Sequence, residues 1–105
     1  MSNLIVARHA GLVEWFRRRG IEGECITHVS YPEQIEGKIV FGVLPIHLAA
    51  LTDMVIAVEM WMTPKQRSRE LSADEMDGCG ARMRAYRVEE VTDKNIYDIV
   101  RRSRA

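Results

Sequence analysis

The feature that most constrains the fold of this chain is a short apolar run that ends in a cationic pair. Residues 4–7 read LIVA, and Arg8 and His9 follow them, directly before Ala10 and Gly11. A continuous apolar run of this length is typical of a β-strand that is covered on both faces, as in a parallel sheet flanked by helices. We therefore expect a buried first strand with its polar residues at the carboxyl end.

Apolar segments typical of strands alternate with short helical patterns along the rest of the chain. Helices are predicted from Gly11 to Arg19 with Gly20 just beyond as a C-cap, after Pro45, and after Ser72, where a capping-box sequence begins. Further strands are predicted at 25–29, 39–44, 54–60 and, more exposed, 84–88, with a polar loop at 65–70. This alternation indicates one α/β domain with a mainly parallel sheet flanked by short helices.

Length and charge limit the classes of function. The chain has 105 residues, enough for one domain with a modest core. Its 15 Lys and Arg residues balance its 15 Asp and Glu residues, so neither a general duplex-DNA surface nor a membrane surface is expected. The N-terminus shows no basic stretch followed by an apolar signal core, and no apolar run approaches membrane-spanning length. We expect a soluble, cytoplasmic protein that holds any anionic ligand through a local cluster.

Candidate site residues follow the predicted strands. The carboxyl ends of parallel strands meet at one edge of the sheet, where ligands of such folds bind. Arg8 and His9 follow the first strand, and Pro45 and His47 follow the third. Gly11 and Pro45 would each begin a helix with free N–H groups that suit phosphate. Arg8 would add a bidentate donor, and the two histidines could donate hydrogen bonds or move protons.

Each candidate also has a purely structural interpretation. Arg8 and His9 can be surface or helix-capping groups, and His47 can be a merely exposed residue. For Trp15, packing in the core or at a dimer interface is favoured over stacking on a base. The basic stretch around Arg67 can be a solvated loop or a loop that closes over an anion.

Metal-ligand patterns are absent from the sequence. Cys25 and Cys79 are far apart and lie in no Cys/His ligand spacing. Asp53 and Asp74 do not form a paired-carboxylate motif, and no His-x-His motif occurs. The sequence therefore predicts that neither a metal nor another cofactor is used.

Four segments together resemble one protein family. They read ARHAG at 7–11, EW at 14–15, GVLPIHLA at 42–49 and RELSADEM at 69–76. In this order, and spread over residues 4–88, they are similar to the Csx-sixteen family of small CRISPR-associated proteins from type III loci.

The C-terminal residues have no counterpart in that family pattern. The resemblance divides the chain into a domain at 1–88 and a C-terminal helical extension of the same domain at 89–105. Ile96, Ile99 and Val100 would form one apolar face of this last helix.

The resemblance implies a Rossmann-like domain that binds cyclic oligoadenylate and acts as a homodimer. It implies a ring nuclease that opens the ring, chiefly cyclic tetra-adenylate, by attack of a ribose 2′-hydroxyl without a metal, and so switches off antiviral signalling. Arg8 would then bind the scissile phosphate, and His9 or His47 would act as general acid or phosphate donor. Residues that would contact the ring are Gly11, Trp15, Pro45, Thr63, Arg67 and Ser68.

Two other functions remain open from the sequence. A protein that only sequesters cyclic oligoadenylate would need the same basic edge but no proton donor. Residues 4–11, LIVARHAG, also resemble the strand-end motif of histidine phosphatases, in which the histidine is phosphorylated. For that class the chain is short, and it lacks a clear second Arg and His pair.

Overall fold

A computed structural model of the chain describes residues 3–91 and 96–104. In chain order the elements are β1 (Asn3–Val6), α1 (Ala10–Arg18), β2 (Glu24–Ile26), a 3₁₀ helix (Pro32–Gln34), β3 (Ile39–Gly42), α2 (Ile46–Ala49), β4 (Met54–Glu59), α3 (Pro64–Arg67), α4 (Ala73–Gly78), β5 (Arg82–Tyr86) and α5 (Ile96–Ser103). The strands form one sheet in the order β2-β1-β3-β4-β5, in which only β5 is antiparallel to its neighbour. The predicted single α/β domain with a mainly parallel sheet is confirmed.

The first strand is covered on both faces, as its apolar run predicts. Ile5 is 3% exposed and packs in a cluster with side chains of α1 and α4. Leu4 and Val6 point to the opposite face and pack with Ile35 and Val40. With both faces buried, β1 has room for charged side chains only at its ends.

The helix predicted from the capping box begins and ends where the sequence indicates. Ser72 is the N-cap of α4, and its hydroxyl accepts a hydrogen bond from the Glu75 N–H at 3.1 Å. The Glu75 carboxylate in turn accepts from the Ser72 N–H at 3.0 Å. This reciprocal pair satisfies two N–H groups that a helix start leaves open, and α4 ends at Gly78.

Two strand predictions are wrong in their bounds. β2 covers Glu24–Ile26 instead of 25–29, because it is an exposed edge strand and the residues after Ile26 leave the sheet. β5 covers Arg82–Tyr86 instead of 84–88, and all five of its side chains are exposed. A strand without a buried face has no apolar alternation to mark its register, so main-chain pairing with β4 decides where it lies.

Two further expectations need correction. β3 ends at Gly42, two residues before the predicted end, and 65–70 is not all loop, because Pro64–Arg67 forms the one-turn helix α3. Since β5 runs antiparallel, its carboxyl end lies at the opposite edge from those of the four parallel strands. None of the helices in the described part of the chain has the length and apolar character needed to cross a membrane.

Gly11 packs against a backbone, which makes it a point where the fold can be tested. A Cβ atom at Gly11 would lie 1.9 Å from the Leu71 carbonyl oxygen, so α1 and the segment before α4 would have to separate. We expect Gly11→Ala to lower the free energy of unfolding by about 1–3 kcal/mol, the cost typical of overpacking. Urea unfolding followed by circular dichroism measures this change.

Gly78 is the matched control, because it is also helical and a Cβ there would meet no atom within 4 Å. Gly78→Ala should leave the stability unchanged or raise it by up to about 1 kcal/mol. Equal midpoints for the two variants would contradict the close approach of Gly11 to Leu71.

Candidate functional site

The chain leaves two neighbouring strands toward opposite faces of the sheet. α1 follows β1 and packs on one face, whereas Leu48 of α2, which follows β3, packs on the other. In doubly wound α/β folds this reversal opens a crevice outside the carboxyl ends of the strands, where ligands bind. The strand order of this sheet places the reversal between β1 and β3.

A cleft of about 470 Å³ lies at this reversal. Its walls come from the segments after three parallel strands. The lining residues are Val6 at the end of β1, Ala7, Arg8, His9 and Leu12 after β1, Thr27, His28 and Val29 after β2, and Val43, Leu44, Pro45 and Leu48 after β3. Apolar side chains form most of this lining, so its few polar groups determine which ligands it can hold.

Arg8 carries a free positive charge into the cleft. Its side chain is exposed and forms no hydrogen bond or ion pair within residues 3–91 and 96–104. An arginine without an internal partner can direct its N–H donors to a carboxylate or a phosphate. Arg8 is therefore the cationic group of the cleft that is available to an anionic ligand.

His9 is held by a carboxylate that the sequence analysis did not identify. Its Nδ1 lies 3.5 Å from Oε1 of Glu70, and the His9 side chain is 64% exposed. The same Glu70 oxygen accepts a hydrogen bond from the Ala10 N–H at 3.1 Å. Glu70 thus places a negative charge at the start of α1, where it is stabilised by the helix dipole.

The helix starts do not present N–H groups as the sequence analysis expected. α1 begins at Ala10, and Glu70 already occupies its first N–H. Gly11 lies against the Leu71 backbone and does not line the cleft. Pro45 lines the cleft but precedes a helix of only four residues, whose dipole is small.

The structure places Trp15 in the core and not at the sheet edge. Trp15 is 1% exposed, and its Nε1 donates to Asp77 Oδ1 of α4 at 2.8 Å. The Arg19 guanidinium carbon lies 3.5 Å from the centroid of the Trp15 ring, and Arg19 also donates to Asp77 at 2.7 Å. The packing alternative for Trp15 is the one that this geometry supports, because a ring buried between two helices cannot stack on a ligand.

His47 lies on α2, is exposed, and does not line the cleft, whereas its neighbour Leu48 does. On a one-turn helix, consecutive side chains point in different directions, and Leu48 takes the inward position. A catalytic role for His47 stays a prediction, without support from the cleft geometry.

The segment after β4 contributes one of its three predicted residues to a cavity. Thr63 is the N-cap of α3, and its hydroxyl accepts from the Gln66 N–H. Ser68 is exposed and donates its hydroxyl proton to the Lys65 carbonyl. Arg67 lines a second cavity of about 320 Å³.

That second cavity adjoins the first along the sheet edge. It is lined by His9, Leu12, Val43, Val58, Met60, Met62, Gln66, Arg67, Arg69, Glu70, Leu71 and Met76. His9, Leu12 and Val43 line both cavities, so the two adjoin at these side chains. We call this second space the methionine cavity.

Sequence reasoning missed Thr27, His28 and Glu70. The sequence predicts Thr27 and His28 inside a strand at 25–29. Because β2 is parallel to β1, the residues that follow it lie at the same edge of the sheet as Arg8 and His9. Their side chains lie together, with 3.2 Å between Thr27 Oγ1 and His28 Nδ1. Glu70 carried no local signal, because its contact to His9 spans sixty-one positions of the chain and only folding creates it.

The rim of the methionine cavity is fixed by an ion pair with a strong electrostatic effect. Arg69 Nη2 lies 2.5 Å from Glu75 Oε2. This hydrogen bond, followed by the one from the Ser72 N–H, lowers the pKa of Glu75 from 4.5 to about 2.

Among the described residues, no group of three or more His, Cys, Asp or Glu side chains is close enough to hold a metal ion.

A protein with this sheet and a cleft at the strand reversal belongs to the class of small doubly wound α/β domains. Over residues 4–89 the chain matches the family described as "Putative CRISPR-associated protein (Cas_VVA1548)". That match spans most of the chain, and the protein belongs to this CRISPR-associated family. A search of curated proteins and a search of solved structures each gave no significant match.

The low pKa of Glu75 predicts how the stability depends on pH. Because the folded state lowers this pKa, the contribution of the charged carboxylate is complete above about pH 4.5 and is lost as the pH falls toward 2. Glu75→Gln keeps a side chain that can complete the capping box but removes the charge. We expect the melting temperature of the variant to lie below that of the unmodified protein at pH 6 and to approach it at pH 2.5.

Thermal unfolding followed by circular dichroism at both pH values measures this difference. Glu22→Gln is the control, since Glu22 is exposed and has no partner among the described residues. A difference for Glu75→Gln that stays constant with pH would contradict the role of its charge.

Proposed function

We propose that this CRISPR-associated protein is a metal-independent ring nuclease that binds cyclic oligoadenylate, in particular cyclic tetra-adenylate, and cleaves it. The observation that carries the proposal is the position of Arg8 and His9 side by side in the cleft between β1 and β3. An unpaired guanidinium and an imidazole at a switch-point cleft suit a phosphodiester. Membership of a CRISPR-associated family supports a signalling nucleotide of that system as the source of the phosphodiester.

The proposed reaction is an internal transfer that consumes no water. The ribose 2′-oxygen attacks the adjacent phosphorus, a new P–O2′ bond forms, and the P–O5′ bond breaks. The proton of the 2′-hydroxyl passes to solvent, and the departing 5′-oxygen takes a proton from His9. The products are a linear oligoadenylate with a 5′-hydroxyl and a 2′,3′-cyclic phosphate.

Each group has one task in this scheme. Arg8 binds the non-bridging oxygens of the scissile phosphate and stabilises the charge that grows on them. His9 acts as general acid, and its Nδ1 lies 3.5 Å from Oε1 of Glu70, which orients the ring. The apolar side chains beside Arg8 and His9 lower the local polarity and strengthen these interactions.

Cleavage of the ring removes the messenger, so the protein would end the antiviral response that the messenger maintains. We propose a homodimer as the active form, because a twofold assembly presents two equivalent clefts to a ring with fourfold repetition. The apolar residues Ile96, Ile99 and Val100 lie at helical spacing on α5 and are exposed in the single chain. They are the surface that we expect to be covered in the dimer.

Incubation of the purified full chain with cyclic tetra-adenylate in EDTA tests the reaction. We expect linear products with a 2′,3′-cyclic phosphate, separated by chromatography and identified by mass. Arg8→Ala should slow cleavage by about 10²–10³-fold, which is typical for loss of one charge-stabilising donor. His9→Ala should slow it by about 10²–10⁴-fold, the usual contribution of a general acid.

Arg87→Ala is the matched control for Arg8→Ala. Arg87 is also exposed, has no partner among the described residues, and follows β5 at the opposite edge of the sheet. The Arg87→Ala variant should cleave the ring at the rate of the unmodified protein. Comparison of His47→Ala with His9→Ala shows which histidine is the proton donor, because only loss of the donor should slow cleavage. Tight binding of an intact ring would contradict the nuclease and indicate a sequestering protein. Absence of binding would contradict both functions.

Light scattering after size exclusion tests the dimer. We expect twice the chain mass of 12.0 kDa for the unmodified protein. Ile99→Glu, which places a charge on the apolar face of α5, should shift the mass to that of the monomer. Arg101→Glu changes a residue on the opposite, polar side of the same helix, where Arg101 pairs with Asp98, and should remain dimeric. A monomer in every sample would contradict the dimer.

A further inference from the structure

We propose that the methionine cavity is a nucleobase subsite, which receives the purine ring of a nucleotide whose phosphate lies at Arg8 and His9. This inference rests on the proposed function, since it deepens the assignment of the adjoining cleft to a phosphodiester. Its first support is adjacency. His9, Leu12 and Val43 line both spaces, so the methionine cavity lies directly beside a ligand bound at His9.

The second support is the chemistry of the cavity lining. Three of the lining residues are Met60, Met62 and Met76, and Leu12, Val58 and Leu71 add further apolar surface. Thioether sulfurs are polarisable and make favourable contacts with aromatic rings, and methionine side chains adapt to the shape of a guest. The space of about 320 Å³ that they leave open suits a flat heteroaromatic ring.

The third support is the set of donors at the rim. The Oε1 atom of Gln66 accepts from the Thr63 N–H at 2.9 Å, which fixes the amide in its capping-box orientation. The Gln66 Nε2 group then has no partner among the described residues, and neither has the Arg67 guanidinium. These free donors match the acceptor nitrogens at the edge of a purine ring.

Glu70 adds an acceptor to the same cavity. Its Oε1 atom accepts from the Ala10 N–H and lies near His9, whereas Oε2 forms no hydrogen bond or ion pair with any described residue. An exocyclic amino group is the kind of donor that a free carboxylate oxygen binds. Donors on α3 together with an acceptor at Glu70 therefore fit adenine better than a base without an amino group.

The experiment uses the full chain with ¹³C-labelled methionine methyl groups. Met60, Met62 and Met76 report on the cavity, whereas Met54 and Met83 lie on β4 and β5 and do not line it. The probes are adenosine 5′-monophosphate and ribose 5-phosphate, which carry the same sugar phosphate with and without the base. We expect adenosine 5′-monophosphate to shift the three cavity methyls and ribose 5-phosphate to leave them in place.

Two variants on the same helix separate the base contact from general charge. Arg67→Ala should weaken binding of adenosine 5′-monophosphate roughly tenfold, as expected for loss of one charged hydrogen bond, and should leave the affinity for ribose 5-phosphate unchanged. Lys65→Ala is the matched control, because it also removes a cation from α3 but does not line the cavity. It should bind both probes like the unmodified protein.

The outcomes separate this inference from the proposed function. Identical shifts with both probes, shifts confined to Met54 and Met83, or equal losses in the two variants would overturn the subsite. Cavity shifts in a protein that neither binds nor cleaves cyclic tetra-adenylate would leave the subsite standing and overturn the nuclease. Cleavage of the ring without cavity shifts would support the nuclease and overturn the subsite.

Discussion

Burial of both faces of β1 is the constraint on which the rest of the site depends. Leu4 and Val6 are covered on one side, and Ile5 is covered on the other. Desolvation excludes a charged side chain from such a strand, so the first cationic residues stand where the strand ends. β3 is also buried on both faces, with Val40 on one side and Phe41 on the other. The residues that follow β3 complete the wall of the cleft.

Positive and negative charges do not balance locally at the cleft. The chain as a whole has no net charge. Near the cleft, however, Oε1 of Glu70 interacts with the start of α1 and with His9, whereas Arg8 has no hydrogen bond or ion pair among the described residues. In the proposed function, this exposed guanidinium binds the phosphate. The methionine cavity beside it would then receive the base, as the further inference proposes.

The α1–α4 contact shows how distant parts of the chain hold the site in place. Trp15, Arg19 and Asp77 form one group of contacts between these helices, in which the indole N–H and the guanidinium donate to the same carboxylate. This group lowers the pKa of Asp77, chiefly through the hydrogen bond from Arg19. Because α4 directly follows the segment that contains Glu70, its attachment to α1 helps to keep the Glu70 carboxylate at the start of α1.

Sequence patterns predicted well where a local rule applies. The apolar run at 4–7, the capping box at Ser72 and the alternation of strands and helices each depend on neighbouring residues, and the structure confirms them. They misplaced the bounds of β5, which has no buried face to set its register, and they did not indicate the long-range hydrogen bond from Trp15 to Asp77.

By itself, the sequence determined that the first strand is buried and that Arg8 and His9 stand at its carboxyl end, because hydrophobic burial and strand periodicity act over a few residues. Only the tertiary structure decided which distant groups meet them. Strand order brought His28 to the same cleft, and packing of the segment before α4 against Gly11 brought Glu70 to His9. Contacts of this kind depend on how whole elements pack, and no local pattern in the sequence records that packing.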